Sequence, residues 1–391
     1  MLLPDGALVN YIFPNNEYVF WGLTIVTYPY ITGLMAGAFV VSALAHLFKV
    51  EAFKPIGNFA LIAALAFGAC AGLPLLVHLG QPQRFYEIYV TPHVTSAMSI
   101  FGYVWGGYMV ILLLEIWLIY REHIIRMANQ TSGLTATIWK ALALGVVTYH
   151  PEAARIDRKL STILAGIGIP WAILLHGYVG FIFGSVKAIA WWATPLQPVI
   201  FILSAIVSGM AMLMVMYSFI KWWRGEVYEF EMIKVFMTYL WGVFVLTFAL
   251  EMLEVASVVY ENGWHWSQIG PLLAGPLFNS WVIGQVLILS VIPIFLIGYT
   301  VLSNISGKPL FYLANLGALM LLTQVLFMRF NVVIGGQLIS KSERGFVDYH
   351  FELFGHEGVL ASAAVFTVPF FFFFILSRYL PILGRKVGQE G

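Results

Sequence analysis

Apolar residues in this chain come in long continuous runs, not in alternation. Nine runs reach the ~20 residues that a helix needs to cross a bilayer. They lie at about 20–48, 56–80, 94–121, 160–184, 197–221, 234–260, 278–303, 309–330 and 358–383. Lipid offers a backbone no hydrogen-bond partner, so only helices or closed barrels span it. Barrel strands alternate apolar and polar positions; these runs do not. The pattern therefore predicts an all-α integral membrane protein of about nine transmembrane helices. The first run is 29 residues long, roughly 43 Å as a helix, and is expected to tilt or protrude.

A further stretch, 131–150, is apolar enough to raise the question of a tenth span, but Lys140 stands at its centre. Charge distribution decides between the readings. With nine spans and the N-terminus outside, 15 of the 20 Lys and Arg residues fall inside. Counting 131–150 as a span leaves 8 inside, 11 outside and one buried. Cytoplasmic loops carry the excess of Lys and Arg, so nine spans are predicted, with the C-terminus cytoplasmic. Segment 122–159 then reads as a cytoplasmic loop with a short interfacial helix. The other long polar segments are 261–277 and 331–357. None has room for a soluble domain, and residues 1–391 read as a single transmembrane domain.

Composition agrees. Hydrophobic residues make up 60% of the chain and charged residues 10%, against about 25% charged in soluble domains. A net charge of +1 gives no electrostatic footprint for nucleic acid. The single cysteine, Cys70, excludes a disulfide within the chain. It also excludes an iron–sulfur cluster ligated by this chain alone, and no CxxCH haem-attachment motif occurs. No basic stretch precedes a short cleavable apolar core, so the first span is expected to act as the insertion signal.

Ionisable groups at membrane depth are costly and point to function. With the predicted topology most of them gather towards the outside. Tyr28 and Tyr30 lie in the outer third of the first span. His78 ends the second and His93 opens the third. His176 and Tyr178 lie in the fourth, His176 about eight residues, or roughly 12 Å, from its outer end. Glu251 and Glu254 in the sixth are three apart and so share a helix face. Arg329 and Asn331 end the eighth. Glu115 and His46 are the exceptions, near the inside. A quinone headgroup has two carbonyl oxygens that need donors such as His or Tyr, and a proton-exchanging group for its redox change; this set supplies both. Structural readings stand beside it: His78 and His93 as interfacial residues, His176 as a helix–helix hydrogen bond, the tyrosines as aromatic-belt residues, and Arg329 as a snorkelling side chain. Two carboxylates on one buried face are harder to explain that way. Gly33 and Gly37, in TGLMAGAFVVSALAH, place small residues on one face for close packing.

Four strings carry a resemblance: GLMAGAFVVSALAH (33–46), HLGQPQRFYEIYVTPHVTSAMSIFG (78–102), GIPWAILLHGYVGFIFG (168–184) and RFNVVIGGQ (329–337) with the LPILGRK ending. Together they resemble the NrfD/PsrC superfamily, the membrane subunits of polysulfide-reductase-type complexes. Among its larger members, TPHVTSAMSIFG and NVVIGGQLISKS are most similar to the DsrP type of the sulfite-reduction-associated DsrMKJOP complex, and the length also resembles the HybB type. The resemblance implies a multi-pass protein of a prokaryotic cytoplasmic membrane. It also implies non-covalent menaquinone or menaquinol without haem or cluster in this chain. An outward-facing multi-cluster iron–sulfur protein is the implied partner, with other membrane and cytochrome subunits. It places headgroup contacts at Tyr178 and on the first helix, where Tyr28 stands near the family's histidine and its asparagine partner falls on an apolar residue. An aspartate often precedes LGxP in the family; here it is His78. The expected roles are headgroup binding by Tyr28, Tyr30, His93, His176, Tyr178, Arg329 and Asn331, and proton transfer by His176, Glu251, Glu254 and His78. A proton-translocating protein or secondary transporter, and a structural anchor of a redox complex, are the competing classes.

Overall fold

The computed structural model describes residues 18–383, and among them nine helices are long and apolar enough to cross a membrane. These are α1 (Leu23–His46), α2 (Glu51–His78), α3 (Ala97–Gln130), α4 (Pro151–Gly184), α5 (Gln197–Trp223), α6 (Phe230–Glu261), α7 (Phe278–Leu302), α8 (Gly307–Leu338) and α9 (Val359–Tyr379). Segment 131–150 does not span: it holds only the short helix Gly133–Leu142.

Several boundaries differ from the sequence reading. Segment 122–159 is mostly helix, because α3 runs on to Gln130 and α4 begins at Pro151. Hydropathy marks where lipid ends; a helix continues into water on its own hydrogen bonds. Helix α1 has 24 residues, not 29, and at ~1.5 Å per residue needs no unusual tilt. Helix α8 continues past Phe330 to Leu338, so Arg329 and Asn331 lie inside it. Span α2 is interrupted at Ala71–Gly72, just before Pro74. The end of the LPILGRK string, including Arg385 and Lys386, lies outside the described residues.

Helices α1–α4 pack on one another as one group and α5–α8 as a second, and α9 lies against α1 and α2. The seam is α1 with α4 against α5 and α8. The apolar window of α1 is 94% buried, whereas those of α6 and α9 are 17% buried. Helix α1 is apolar on all sides, as a helix surrounded by other helices must be. Close approach at the seam depends on small residues: a Cβ on Gly37 would meet the Ala205 carbonyl oxygen at 2.2 Å, and one on Gly209 would meet the Gly37 Cα at 2.5 Å. The glycine face read from the sequence is this contact.

Following the charge bias, the end carrying His78, Glu261 and the 339–358 segment is called the outer end. There the entry to α1 is tied to the exit of α8. Gln337 Oε1 accepts the Phe20 and Trp21 amides at 3.1 and 2.9 Å, and its Nε2 donates to the Trp21 carbonyl at 3.1 Å.

Candidate functional site

Arg329 lies nine residues, or roughly 14 Å, inside the outer end of α8 and is fully buried. Its Nη2 donates to Ser204 Oγ at 2.7 Å and to the Phe201 carbonyl at 3.4 Å, and lies 3.2 Å from His176 Nε2. A guanidinium only donates, so Nε2 accepts and the His176 proton is assigned to Nδ1, which has no partner. The guanidinium sits 3.8 Å above the Phe201 ring, a desolvated cation–π contact. The imidazole stacks on the same ring, 5.9 Å between centroids. Space for it comes from Gly33, where a Cβ would approach His176 Cε1 to 3.3 Å. Among the described residues Arg329 Nε and Nη1 have no partner. The residues therefore come from α4, α5 and α8 and meet at the seam.

Two residues further on, Asn331 Nδ2 donates to Gln285 Oε1 at 2.8 Å, and Gln285 Nε2 donates to Glu251 Oε2 at 3.3 Å. This chain links α8, α7 and α6. Asn331 Oδ1 and Glu251 Oε1 are buried and have no hydrogen-bond partner among the described residues. Both residues line a cavity of about 310 Å³, together with Glu254, Glu261 and His265, under Trp191 and Trp281. Glu254 and Glu261 are two helical turns apart on α6, so carboxylates extend from Glu251 towards the outer end.

Local backbone chemistry shapes this cavity. Residues Phe278–Val291 of α7 form a π-helix, whose i→i+5 bonding is often found at functional sites. Trp281 and Gln285 both face the cavity from it, and Ser290 Oγ donates to the Gln285 carbonyl five residues back at 2.7 Å. The roof is pinned to α8: Trp191 Nε1 donates to the Asn331 carbonyl at 2.9 Å and Trp192 Nε1 to that of Val332. Gly336 leaves room for the Trp192 indole, which a Cβ would meet at 2.1 Å.

The structure unites His176 with Arg329, and Glu251 and Glu254 with Asn331. The other candidates lie elsewhere. Tyr178 is half-buried beside Phe181 at 5.5 Å. It stands two turns from Trp171, which donates to the Val104 carbonyl at 2.8 Å, so it shares the α4 face turned to α3 and not that of His176. Tyr28 is buried edge-on to Phe101, and its hydroxyl has no partner. Tyr30 is committed to the Leu322 carbonyl at 3.0 Å. His78 Nδ1 pairs with the Glu357 carboxylate, whose other oxygen accepts the Gly22 amide at 3.1 Å. His93 is exposed, 2.9 Å from the Thr95 hydroxyl. Arg329 does not snorkel; it is sealed. The sequence reading passed over Gln285, Ser204, Glu261 and His265. An amide inside an otherwise apolar run, as in IGQVLILS, was the available signal for Gln285.

Fold and site together define a polytopic helical membrane protein with a buried cation and a carboxylate-lined cavity at one end. The chain matches the family model described as polysulphide reductase, NrfD, over residues 13–341, and it belongs to that family. It is 37% identical over 213 residues to a selenate reductase subunit of Mesobacillus selenatarsenatis, covering 52% of this chain and 49% of that one. It is 28% identical over 197 residues to a putative dimethyl sulfoxide reductase membrane subunit of Halobacterium salinarum, covering 50% and 42%. To the Hdr-like menaquinol oxidoreductase integral membrane subunit of Archaeoglobus fulgidus it is 25% identical over 194 residues, covering 50% and 40%. The chain spans about half the length of the curated relatives it matches.

Proposed function

We propose that this chain is the quinone-reactive membrane subunit of a respiratory redox complex, taking a menaquinone-class headgroup in the cavity between α6, α7 and α8. The observation that carries the reading is the Glu251–Gln285–Asn331 chain, which ends in unpartnered oxygens on residues lining a cavity of about 310 Å³. That is within the usual size of ligand pockets, roughly 300–1,000 Å³. The donor set fits the group. Asn331 and Gln285 offer amide hydrogens to a carbonyl oxygen, and Glu251 and Glu254 accept or return protons. When bound there, a quinone supplies two-electron, two-proton chemistry. Glu254, Glu261 and His265 pass protons between Glu251 and the outer aqueous phase. Arg329, held by Ser204 and His176 behind Asn331, fixes α8 and adds a positive field. It acts as a positioning residue.

In this reading electrons exchange with an iron–sulfur protein docked at the outer end. Exposed aromatics there, Tyr86, Phe351 and Phe354, suit a protein contact. The names of the relatives, among them reductase subunits and a menaquinol oxidoreductase subunit, support a redox complex. The DsrP-like strings favour sulfur- or sulfite-linked anaerobic metabolism. A second reading places the headgroup near Tyr28 and Tyr178, favoured by the orphaned Tyr28 hydroxyl beside Phe101.

The test is to extract lipid-soluble cofactors from the purified complex and titrate a menaquinol analogue against wild type, Glu251→Gln, Asn331→Ala and Tyr178→Phe. Bound quinone, with affinity weakened in the first two variants and kept in the third, is expected. Weakening in Tyr178→Phe alone moves the site to the second reading. No quinone and no analogue binding in wild type returns the chain to the anchor or transporter classes.

A further inference from the structure

A second polar cavity, of about 610 Å³, lies at the opposite, inner end between α1, α3 and α4. At its wall stands Glu115 of α3, 1% exposed, with Oε2 lacking any partner. His46, the last residue of α1, lines the same cavity, and its Nε2 is also buried without a partner. Other charged groups face this space: Lys49 beyond α1, Glu122 on α3, and Asp157 and Arg158 on α4.

Asp157, Glu122 and Arg158 have partners that Glu115 Oε2 lacks, and Lys49 is exposed. Asp157 accepts from Arg121 Nη1 at 2.9 Å and from the Tyr149 hydroxyl at 3.0 Å. Burial, and then the bond to Asp157, push the Tyr149 hydroxyl up to about 12, so it remains a donor at any physiological pH. Glu122 pairs with Arg126 at 2.9 Å. Deeper in the membrane, two turns from Glu115 on α3, the buried Tyr108 hydroxyl has no partner either. A buried, unpaired carboxyl is expensive unless it is protonated or wetted. Among the described residues nothing pairs with Glu115 Oε2, and a polar cavity of this size admits water.

We propose that Glu115 is a proton-binding site loaded from the inner aqueous phase, with water in this cavity and the His46 imidazole carrying the proton to its carboxylate. The step is a simple exchange: Glu115 Oε2 gains the proton, a hydronium in the cavity loses it, and the site becomes more positive by one charge. The site belongs to the α1–α4 group, whereas the outer cavity belongs to α5–α8. It does not depend on where, or whether, a quinone binds.

Carbodiimides test it, because they add to a protonated carboxyl and leave a stable acylurea. The full chain is placed in sealed vesicles of known orientation, and a water-soluble carbodiimide is applied to one side at a time, with labelled peptides mapped by mass spectrometry. Labelling at Glu115 is expected from the inner side and not the outer. It should fall by about tenfold per pH unit once the inner pH passes the carboxyl's midpoint, whatever the outer pH. Thr162→Trp, which narrows the cavity from the α4 wall while leaving Glu115 in place, should slow the labelling. In wild type, an infrared carboxyl stretch that titrates with inner pH should vanish in Glu115→Gln. Labelling from the outer side only, no labelling from either side, or an unchanged rate in Thr162→Trp each overturns the proposal. None of these readouts requires quinone or turnover, so failure of the quinone reading appears separately, as absent analogue binding with Glu115 labelling intact.

Discussion

Two outer regions of this molecule carried similar promise in the sequence, and the fold treats them differently. Around α6, α7 and α8, polar residues from several helices join into chains that end in unpartnered atoms beside a cavity. Around the start of α3, Tyr28, His78, His93 and Tyr178 stay apart. One is sealed against Phe101, one is clasped to Glu357, one is exposed, and one is half-buried on the α3-facing side of α4. Matching strings locate segments; they do not say which side chains of separate helices meet.

The sharpest way to break this contrast is at the carboxylates. Glu251→Gln should lower quinol-linked turnover of the complex by about 10²–10⁴-fold, the usual weight of a general acid or base. His78→Gln should leave turnover nearly unchanged. Equal losses in both would erase the difference between the two regions. Arg329→Met keeps most of the volume but strips Ser204 and His176 of their donor. It should destabilise the protein by about 3 kcal/mol, read in a detergent-denaturant unfolding titration. A shift well below about 1 kcal/mol would show that the buried guanidinium does not organise the seam. Tyr28→Phe sharpens the comparison further. Its hydroxyl is buried and unpaired, so its removal should be neutral or stabilising by about 1 kcal/mol without altering analogue affinity. Weaker analogue binding would identify a ligand as the missing partner.

The smallest effect concerns pH. The Tyr349 hydroxyl, in the 339–358 segment, is pushed up to about 12, first by burial and then by Glu357 and Glu352. The folded state thus favours the neutral phenol. Its contribution is complete below the ordinary tyrosine value near 10 and is lost as pH rises from there through about 12. Protection of the Val359 and Leu360 amides, which donate to the Glu352 and Leu353 carbonyls, should fall across that window by more than the intrinsic base-catalysed acceleration. Flat protection up to pH 12 would count against the assignment.

Much of the architecture was legible because lipid imposes one demand, a continuous apolar run. What the runs could not reveal was helix that continues where lipid stops, as at Arg121–Gln130 and Pro151–Lys159. The Gly335–Gly336 pair read as the start of a loop, yet it is helical, and the second glycine is flattened for the Trp192 indole. Within the site, the spacing of Glu251 and Glu254 fixed a shared face, since both lie on one helix. The meeting of His176 with Arg329 spans 153 residues and left no local signature. Gln285 hid because a neutral amide breaks neither the charge count nor the apolar run, and its position depends on a π-helix that no residue pattern announced.

Burial of α1 has a consequence for the order of synthesis. It is the first described helix to leave the ribosome, and it ends with neighbours on every side. At ~5–20 residues per second, α8 and α9 emerge on the order of tens of seconds later. Two of its three buried threonines are already satisfied within the helix, Thr27 by the Thr24 carbonyl and Thr32 by that of Tyr28. Thr24 waits, because its hydroxyl donates to the His356 carbonyl just ahead of α9, and Tyr30 waits for the Leu322 carbonyl of α8. The last side-chain bonds of α1 therefore form only after α8 and the 339–358 segment have followed it into the membrane.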